Sequence, residues 1–139
     1  MKLKATVLIL VFCLLACVCV VGCGDGIDGD EAQSKTVEFL RALKADDYEA
    51  ASALLHPDVS DNLQARIEAV EADEALNFNS EMTITAFTGF NSVLYDSNVD
   101  GARYVLYMDI TIDGVEAEAA IEFVRNDVGF GIYAFEFDR

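Results

Sequence analysis

The chain has 139 residues, a length that suits a single domain. It carries 25 Asp and Glu residues against 9 Lys and Arg, for a formal net charge of −16 at pH 7. Such an acidic chain repels phosphate backbones and anionic membrane surfaces, so we expect neither a nucleic-acid partner nor electrostatic membrane binding. All four cysteines lie at or before Cys23, so the rest of the chain has no thiol for a disulfide, a zinc site or a nucleophile.

The first 22 residues have the layout of a secretory signal peptide. Lys2 and Lys4 form a basic start, and residues 5–21 are apolar apart from Thr6. A membrane-spanning helix needs about 20 apolar residues, and this run falls only slightly short of that length. An uncleaved membrane anchor is therefore the alternative. In both interpretations the basic start stays inside and the rest of the chain is exported.

The four residues VVGC, which end at Cys23, resemble the lipobox of bacterial lipoproteins. The resemblance implies cleavage before Cys23, a diacylglycerol on its sulfur, and a lipid-anchored domain on the extracytoplasmic side of the cell membrane. A rival box, LLAC, ends at Cys17. Cleavage there leaves the apolar residues 17–21 in the mature chain, so we prefer Cys23 as the lipid-attachment residue.

A segment rich in Gly and Asp follows the predicted signal peptide, which covers residues 1–22. Residues 23–31 predict a flexible tether, and the domain is expected over residues 32–139. Near the start of the domain, Val37, Leu40 and Leu43 are three residues apart. This spacing places them on one face of a helix.

Two further helices and several strands follow in the predicted order. Capping boxes mark the helix starts, the first formed by Asp46 with Glu49 and the second by Asp61 with Gln64. After Asn77 the apolar period changes from that of a helix to two, which is typical of strands. The first two strands are expected over residues 82–87 and around residues 93–95.

A strong hairpin signal, Asp113-Gly114, sets the register of the later strands. It places only apolar and aromatic residues on one face, which is therefore the predicted core face. The expected pairs are Ile112 with Val115, Ile110 with Ala117, Met108 with Ala119, Leu106 with Ile121 and Tyr104 with Phe123. A second tight turn at Asn126-Asp127 continues this face into the last strand. Its expected pairs are Phe123 with Phe130, Ile121 with Ile132 and Ala119 with Ala134.

In this register Tyr107, Tyr133 and Phe135 share the opposite, outer face of the sheet. They predict an aromatic patch ringed by carboxylates, which is a candidate surface for a homodimer or a protein partner. The alternative is the ordinary preference of Tyr and Phe for strands.

The same register predicts a small cavity on the core face. Glu136 is the only carboxylate expected there, opposite Ala117. The small side chains of Ala117, Ala119 and Ala134 leave room beside it. The alternative for Glu136 is a solvated residue at the rim.

Six short segments carry a resemblance to a known superfamily. They are VEFL from Val37 with Leu43, DYEAA from Asp47, LHPD from Leu55, GARYV from Gly101, and the two hairpins at Asp113-Gly114 and Gly131-Ile132-Tyr133. Together they resemble the nuclear-transport-factor-2-like superfamily, specifically its small bacterial lipoproteins. The chain departs from the family pattern in having no Trp before the Ile of the final strand, where Gly131 stands.

The resemblance implies an α+β fold in which N-terminal helices pack on a strongly curved antiparallel sheet and form a cone. Some members of the superfamily are enzymes with a site inside the cone, and many others only bind or associate. The fold therefore leaves the function open.

Two local patterns are weaker candidates for chemistry. The loop that starts at Asp96 has the first six positions of a calcium-binding loop, but Tyr107 stands where a bidentate Glu is required, so we interpret it as a polar turn. His56, the single histidine, is interpreted as a helix-capping residue rather than a member of a catalytic triad. We expect no metal, cofactor or catalytic residue.

The sequence thus predicts an exported lipoprotein, anchored in the membrane through Cys23, whose domain is a non-catalytic binding or interaction module. The alternative is a small-molecule enzyme that uses Glu136 as a base inside the cone.

Overall fold

The computed structural model describes residues 26–139. The predicted signal peptide and both candidate lipid-attachment residues, Cys17 and Cys23, lie outside the described residues. The described chain contains three helices followed by four strands, which form one antiparallel sheet in the order β1-β2-β3-β4. The predicted α+β class is confirmed.

Helix α1 spans Gly29–Lys44 and begins earlier than expected. The side chain of Asp28 caps it by accepting a hydrogen bond from the backbone N–H of Asp30 at 2.9 Å. Residues 29–31, which we assigned to the tether, are therefore helical, and Ile27 before them is buried. The face of α1 that packs into the core consists of Ala32, Thr36, Phe39, Leu40, Ala42 and Leu43.

Helices α2 (Tyr48–Ser52) and α3 (Leu63–Glu74) each begin one residue later than the capping boxes predict. Asp47 caps α2 through the N–H of Ala50 at 3.0 Å, and Asn62 caps α3 through the N–H of Ala65 at 3.1 Å. Asp47 and Asn62, which directly follow the predicted caps Asp46 and Asp61, each accept a hydrogen bond from the backbone N–H three residues later, as an N-cap does.

The strands are β1 (Met82–Asp96), β2 (Gly101–Ile112), β3 (Val115–Asn126) and β4 (Phe130–Asp138). The two short strands expected over residues 82–87 and 93–95 are one long strand, β1. Its register against β2 is interrupted at three places. The irregularities fall between Ile84 and Ala86, Phe87 and Gly89, and Val93 and Asp96. Alternation therefore does not continue unbroken along the sequence, and a local period of two does not mark β1 as one strand.

The hairpin of β2 and β3 has the predicted register. Asp113 and Gly114 form its turn, with φ values of 52° and 74° that suit a type I′ turn. All five expected pairs are present: Ile112 with Val115, Ile110 with Ala117, Met108 with Ala119, Leu106 with Ile121 and Tyr104 with Phe123. Nine of these ten residues are buried, and Val115 is half-buried, so this is the core face.

The predicted register of β3 and β4 is wrong. The turn lies one residue later than expected, since Asn126 pairs with Gly129 through an N–H to carbonyl hydrogen bond of 3.0 Å. Phe123 consequently pairs with Ile132 instead of Phe130. A second irregularity follows at Tyr133, which is the extra residue of a bulge. Because one extra residue inverts the faces of a strand, every side chain after Tyr133 points the opposite way from the prediction.

Tyr104 gives the fold a pH dependence at alkaline pH. Burial raises the pKa of the Tyr104 phenol above its ordinary value of 10.0, and the charges of Asp28 and Asp30 raise it further. Because the folded-state pKa is the higher one, the stabilisation is complete below the unfolded-state value and is lost as pH rises through the folded-state value.

We therefore expect the free energy of unfolding to fall above about pH 10, and to fall less steeply in the variant Tyr104→Phe. Urea denaturation between about pH 8 and pH 11 measures both curves. Part of the decrease persists in the variant, since burial also raises the pKa of Tyr48. Identical slopes in the two proteins would contradict the role of Tyr104.

Candidate functional site

The three aromatic residues predicted to form an outer patch do not meet. Tyr107 lies on the outer face, with 43% of its surface exposed. Phe135 follows the bulge and lies on the core face, where its ring is 5.6 Å from that of Phe39. Tyr133 occupies the bulge and packs edge-on against His56, with ring centroids 5.8 Å apart. The predicted contiguous partner surface is therefore wrong, because Tyr107 is the only exposed residue of the three.

The predicted cavity is also not assembled. Ala117 and Ala119 are buried on the core face, but Ala134 pairs with Glu122 and Glu136 pairs with Ala120 on the outer face. Glu136 is exposed. It is a surface carboxylate, which contradicts its predicted place inside the cone.

Large aromatic side chains fill the space that the small alanines leave. Phe137 pairs with Ala119 and is buried, and its ring packs edge-on against Phe78 at 4.8 Å. The ring centroids of Phe135 and Phe137 are 6.1 Å apart. The guanidinium of Arg66 lies over the Phe135 ring, with its Cζ atom 4.3 Å from the ring centroid. The bulge at Tyr133 is what turns both Phe rings toward the alanines, so the core face is packed where a cavity was expected.

The outer face of the sheet is open and acidic. A shallow groove of about 610 Å³ runs beside Tyr107 and is lined by Asp109, Glu118, Glu136 and Asp138 among others. Next to it Arg103 binds Glu122 through two hydrogen bonds of 2.7 and 3.0 Å, and this pairing raises the pKa of the guanidinium. The described residues include no group of three or more His, Cys, Asp and Glu side chains arranged to hold a metal ion.

His56 lies beyond the end of α2 and is buried, so the predicted helix-capping role is wrong. Its Nδ1 accepts a hydrogen bond from the backbone N–H of Asp58 at 3.1 Å, which leaves the ring proton on Nε2. Nε2 then donates to Oδ1 of Asn126 at 3.0 Å, and the amide of Asn126 donates to the carbonyl of Val99 at 2.9 Å. His56 therefore ties together three loops at one end of the sheet.

An apolar groove between α1 and β1, which the sequence did not predict, is the feature of the surface best suited to binding. We call it the α1–β1 groove. It has a volume of about 420 Å³ and is lined by Val37, Leu40, Arg41, Lys44, Met82 and Ile84. Four of these residues are apolar, and the other two place long aliphatic stems at its margin.

Exposed apolar side chains of β1 continue this groove toward the beginning of α1. They are Phe87, Phe90 and Leu94, and we call them the β1 ridge; Phe90 is 67% exposed and Leu94 is 72% exposed. Phe90 stacks on Tyr104 with a centroid distance of 5.5 Å and an interplanar angle of 6°. A sequence signal for this surface exists, since residues 82–95 contain no charged side chain in an otherwise acidic chain.

Comparison of the sequence with protein-family models finds no matching family, and comparison with the curated proteins finds no matching protein. Among the helices of residues 26–139, none combines the length and the apolar character that crossing a membrane requires.

Proposed function

We propose that the chain is an exported lipoprotein, held on the extracytoplasmic side of the cell membrane by a lipid on Cys23, and that its domain is a non-catalytic binding module. The observation that carries the anchor is the run VVGC, which ends at Cys23 directly after the apolar residues 5–21. The acidic residues begin only at Asp25, so the sequence changes character within two residues of the proposed cleavage site.

The same proposal includes a nuclear-transport-factor-2-like cone for the domain. In support, three N-terminal helices precede a four-stranded antiparallel meander, and the helices and the core face of the sheet share one hydrophobic core. This order of elements is the one that the resemblance implies. Curvature of the sheet is consistent with the bulges in β1 and at Tyr133, since bulges bend strands and increase their twist.

The placement of the polar residues favours binding over catalysis. Glu136, the proposed base of the alternative enzyme, is exposed on the outer face, where water surrounds it. His56 uses both ring nitrogens to hold loops together. The α1–β1 groove and the β1 ridge, in contrast, offer exposed apolar surface, which in soluble domains usually marks an association site.

Metabolic labelling tests the anchor. Expressed in a bacterial host with a labelled fatty acid, the wild-type protein is expected to incorporate the label and to fractionate with membranes. Cys23→Ala should abolish the incorporation, because the thioether bond needs that sulfur. Cys17→Ala is the matched control and should retain the label. Loss of the label in Cys17→Ala together with its retention in Cys23→Ala would move the anchor to Cys17, and a wild-type protein without label would overturn the proposal.

A further inference from the structure

The long edge strand β1 differs chemically from the rest of the domain. The net charge of the chain is −16, yet residues 82–95 carry no charge. Phe87 and Phe90 pair with the buried residues Met108 and Leu106, so they lie on the core face of the sheet. They are nevertheless exposed, and so is Leu94 further along β1. Exposed aromatic and aliphatic residues concentrated on one strand indicate a surface that is covered in the protein's working state.

The cations beside this strand are free to meet an anion. Arg103, Arg125 and Arg66 each form an ion pair with a carboxylate. Arg41 and Lys44, at the margin of the α1–β1 groove, form none among residues 26–139. This side of the domain therefore combines apolar side chains with two available positive charges, whereas the outer face of the sheet is acidic.

The β1 ridge lies close to where the anchored segment enters the fold. A Cβ atom placed on Gly26 would be 3.3 Å from Cδ2 of Leu94, so the backbone at Gly26 runs beside the ridge. Cys23 precedes Gly26 by three residues, and three extended residues reach only about 10 Å. A lipid on Cys23 consequently holds Leu94 within a short distance of the bilayer surface.

From these observations we infer that the α1–β1 groove and the β1 ridge form the face with which the anchored domain rests on the lipid bilayer; this inference depends on the proposed lipid anchor. Phe90 and Leu94 enter the interfacial region, where aromatic and aliphatic side chains leave water. Arg41 and Lys44 lie at the margin of this face, where they meet the phosphates of zwitterionic lipids locally, although the net charge of −16 gives the chain as a whole no electrostatic attraction to a membrane. The lipid supplies the affinity, and this face sets the orientation, because tethering makes the second contact effectively intramolecular.

Two features favour a bilayer over a second copy of the chain. The three register irregularities of β1 disrupt the flat hydrogen-bonding edge on which another strand would have to pair. Two copies of a chain with a charge of −16 also repel each other, whereas a zwitterionic lipid surface does not.

Single tryptophan reporters test the inference, since the chain has no Trp of its own. The full chain is acylated in a bacterial host and reconstituted into phosphatidylcholine vesicles with brominated acyl chains, which quench tryptophan only at close range. Phe90→Trp is expected to lose most of its fluorescence relative to unbrominated vesicles. Tyr107→Trp is the matched control and should keep its emission. Tyr107 on β2 pairs with Gly89, the neighbour of Phe90 on β1, but its side chain faces the opposite side of the sheet.

Each other result decides against the inference. Equal emission of the two variants in brominated and plain vesicles would show that the face does not touch lipid. A Phe90→Trp emission that changes with the protein density in the vesicles, but not with bromine, would indicate a second copy. If the wild-type chain takes up no fatty acid and is not recovered with the vesicles, the lipid anchor itself fails, and this inference fails with it.

Discussion

Replacing Phe123 by alanine is expected to lower the free energy of unfolding by about 3–5 kcal/mol, as large-to-small aromatic substitutions in cores do. Phe123 is 0% exposed and is paired with Tyr104 on β2 and Ile132 on β4. Its ring is 6.0 Å from that of Phe130. Removing it leaves a cavity between three strands, which the sheet cannot close without breaking its ladders. A domain has only about 5–15 kcal/mol of stability in total, so the variant should be close to unfolding.

Urea denaturation of the soluble chain that begins at Gly24 measures the effect, because all the described elements lie after that residue. Phe90→Ala is the matched control. It makes the same chemical change at an exposed site, where the loss of the stacking on Tyr104 should cost no more than about 1 kcal/mol. Equal costs at Phe123 and Phe90 would show that Phe123 is not the centre of the core.

Gly131→Ala is expected to destabilise the domain by about 2–4 kcal/mol, since overpacking costs about 1–3 and displaced backbone hydrogen bonds add to it. A Cβ atom on Gly131 would lie 2.6 Å from the backbone N of His56 and 2.7 Å from the carbonyl O of Leu55. Both atoms belong to the backbone of a segment that covers the edge of β4. The segment is held by two hydrogen bonds, from His56 N–H to the carbonyl of Ile132 at 2.8 Å and from Ile132 N–H to the carbonyl of Leu54 at 2.9 Å.

The added methyl group has to push this segment away, and the two hydrogen bonds and the loop contacts of His56 weaken with it. Gly89→Ala is the control. An added Cβ at Gly89 meets nothing within 4 Å, so this variant should be neutral or slightly more stable. A thermal melt compares the two variants with the wild type. If Gly131→Ala has the same melting temperature as Gly89→Ala, the segment from Leu54 to His56 does not pack on β4.

The proposed contact of the α1–β1 groove and the β1 ridge with the bilayer decides which surface of the domain a soluble partner can reach. If β1 lies on the bilayer, the acidic outer face with Tyr107, Glu118 and Glu136 points away from the membrane. A soluble partner would then meet carboxylates and should carry positive charge, and added salt should weaken the complex. This salt trend is opposite to the one expected of a homodimer, in which screening relieves repulsion.

The starts of α2 and α3 and the central hairpin could be predicted from the sequence, whereas α1 begins at Gly29, inside the predicted tether. Capping oxygens act on an N–H only two or three residues away, so the candidate boxes place the starts of α2 and α3 to within one residue. Asp113 and Gly114 adopt the positive φ that their two-residue turn requires. Alternation along β2 and β3 then fixes which residues are buried.

The candidate surfaces could not be predicted, because they depend on β4 and β1. The predictions of the partner surface and of the cavity both relied on regular pairing of β3 with β4 after Asn126. In the structure the turn comes one residue later and Tyr133 forms a bulge, so the pairing differs. Asn126 helps to set that turn through the hydrogen bonds that its Oδ1 accepts from the N–H groups of Val128 and Gly129. Its Oδ1 also accepts from His56, seventy positions earlier in the chain.

The sequence by itself determined the features that local interactions control: the α+β class, the starts of α2 and α3 to within one residue, and the register of β2 against β3. The tertiary structure decided the face on which Phe135, Glu136 and Phe137 lie. Near Tyr133 a one-residue bulge inverts the strand, and no local pattern marks it, since both faces of β4 carry aromatic residues. The bulge places Phe135 and Phe137 on the core face with Ala117 and Ala119, which belong to another strand. Packing between segments distant in sequence therefore decided what local periodicity left open.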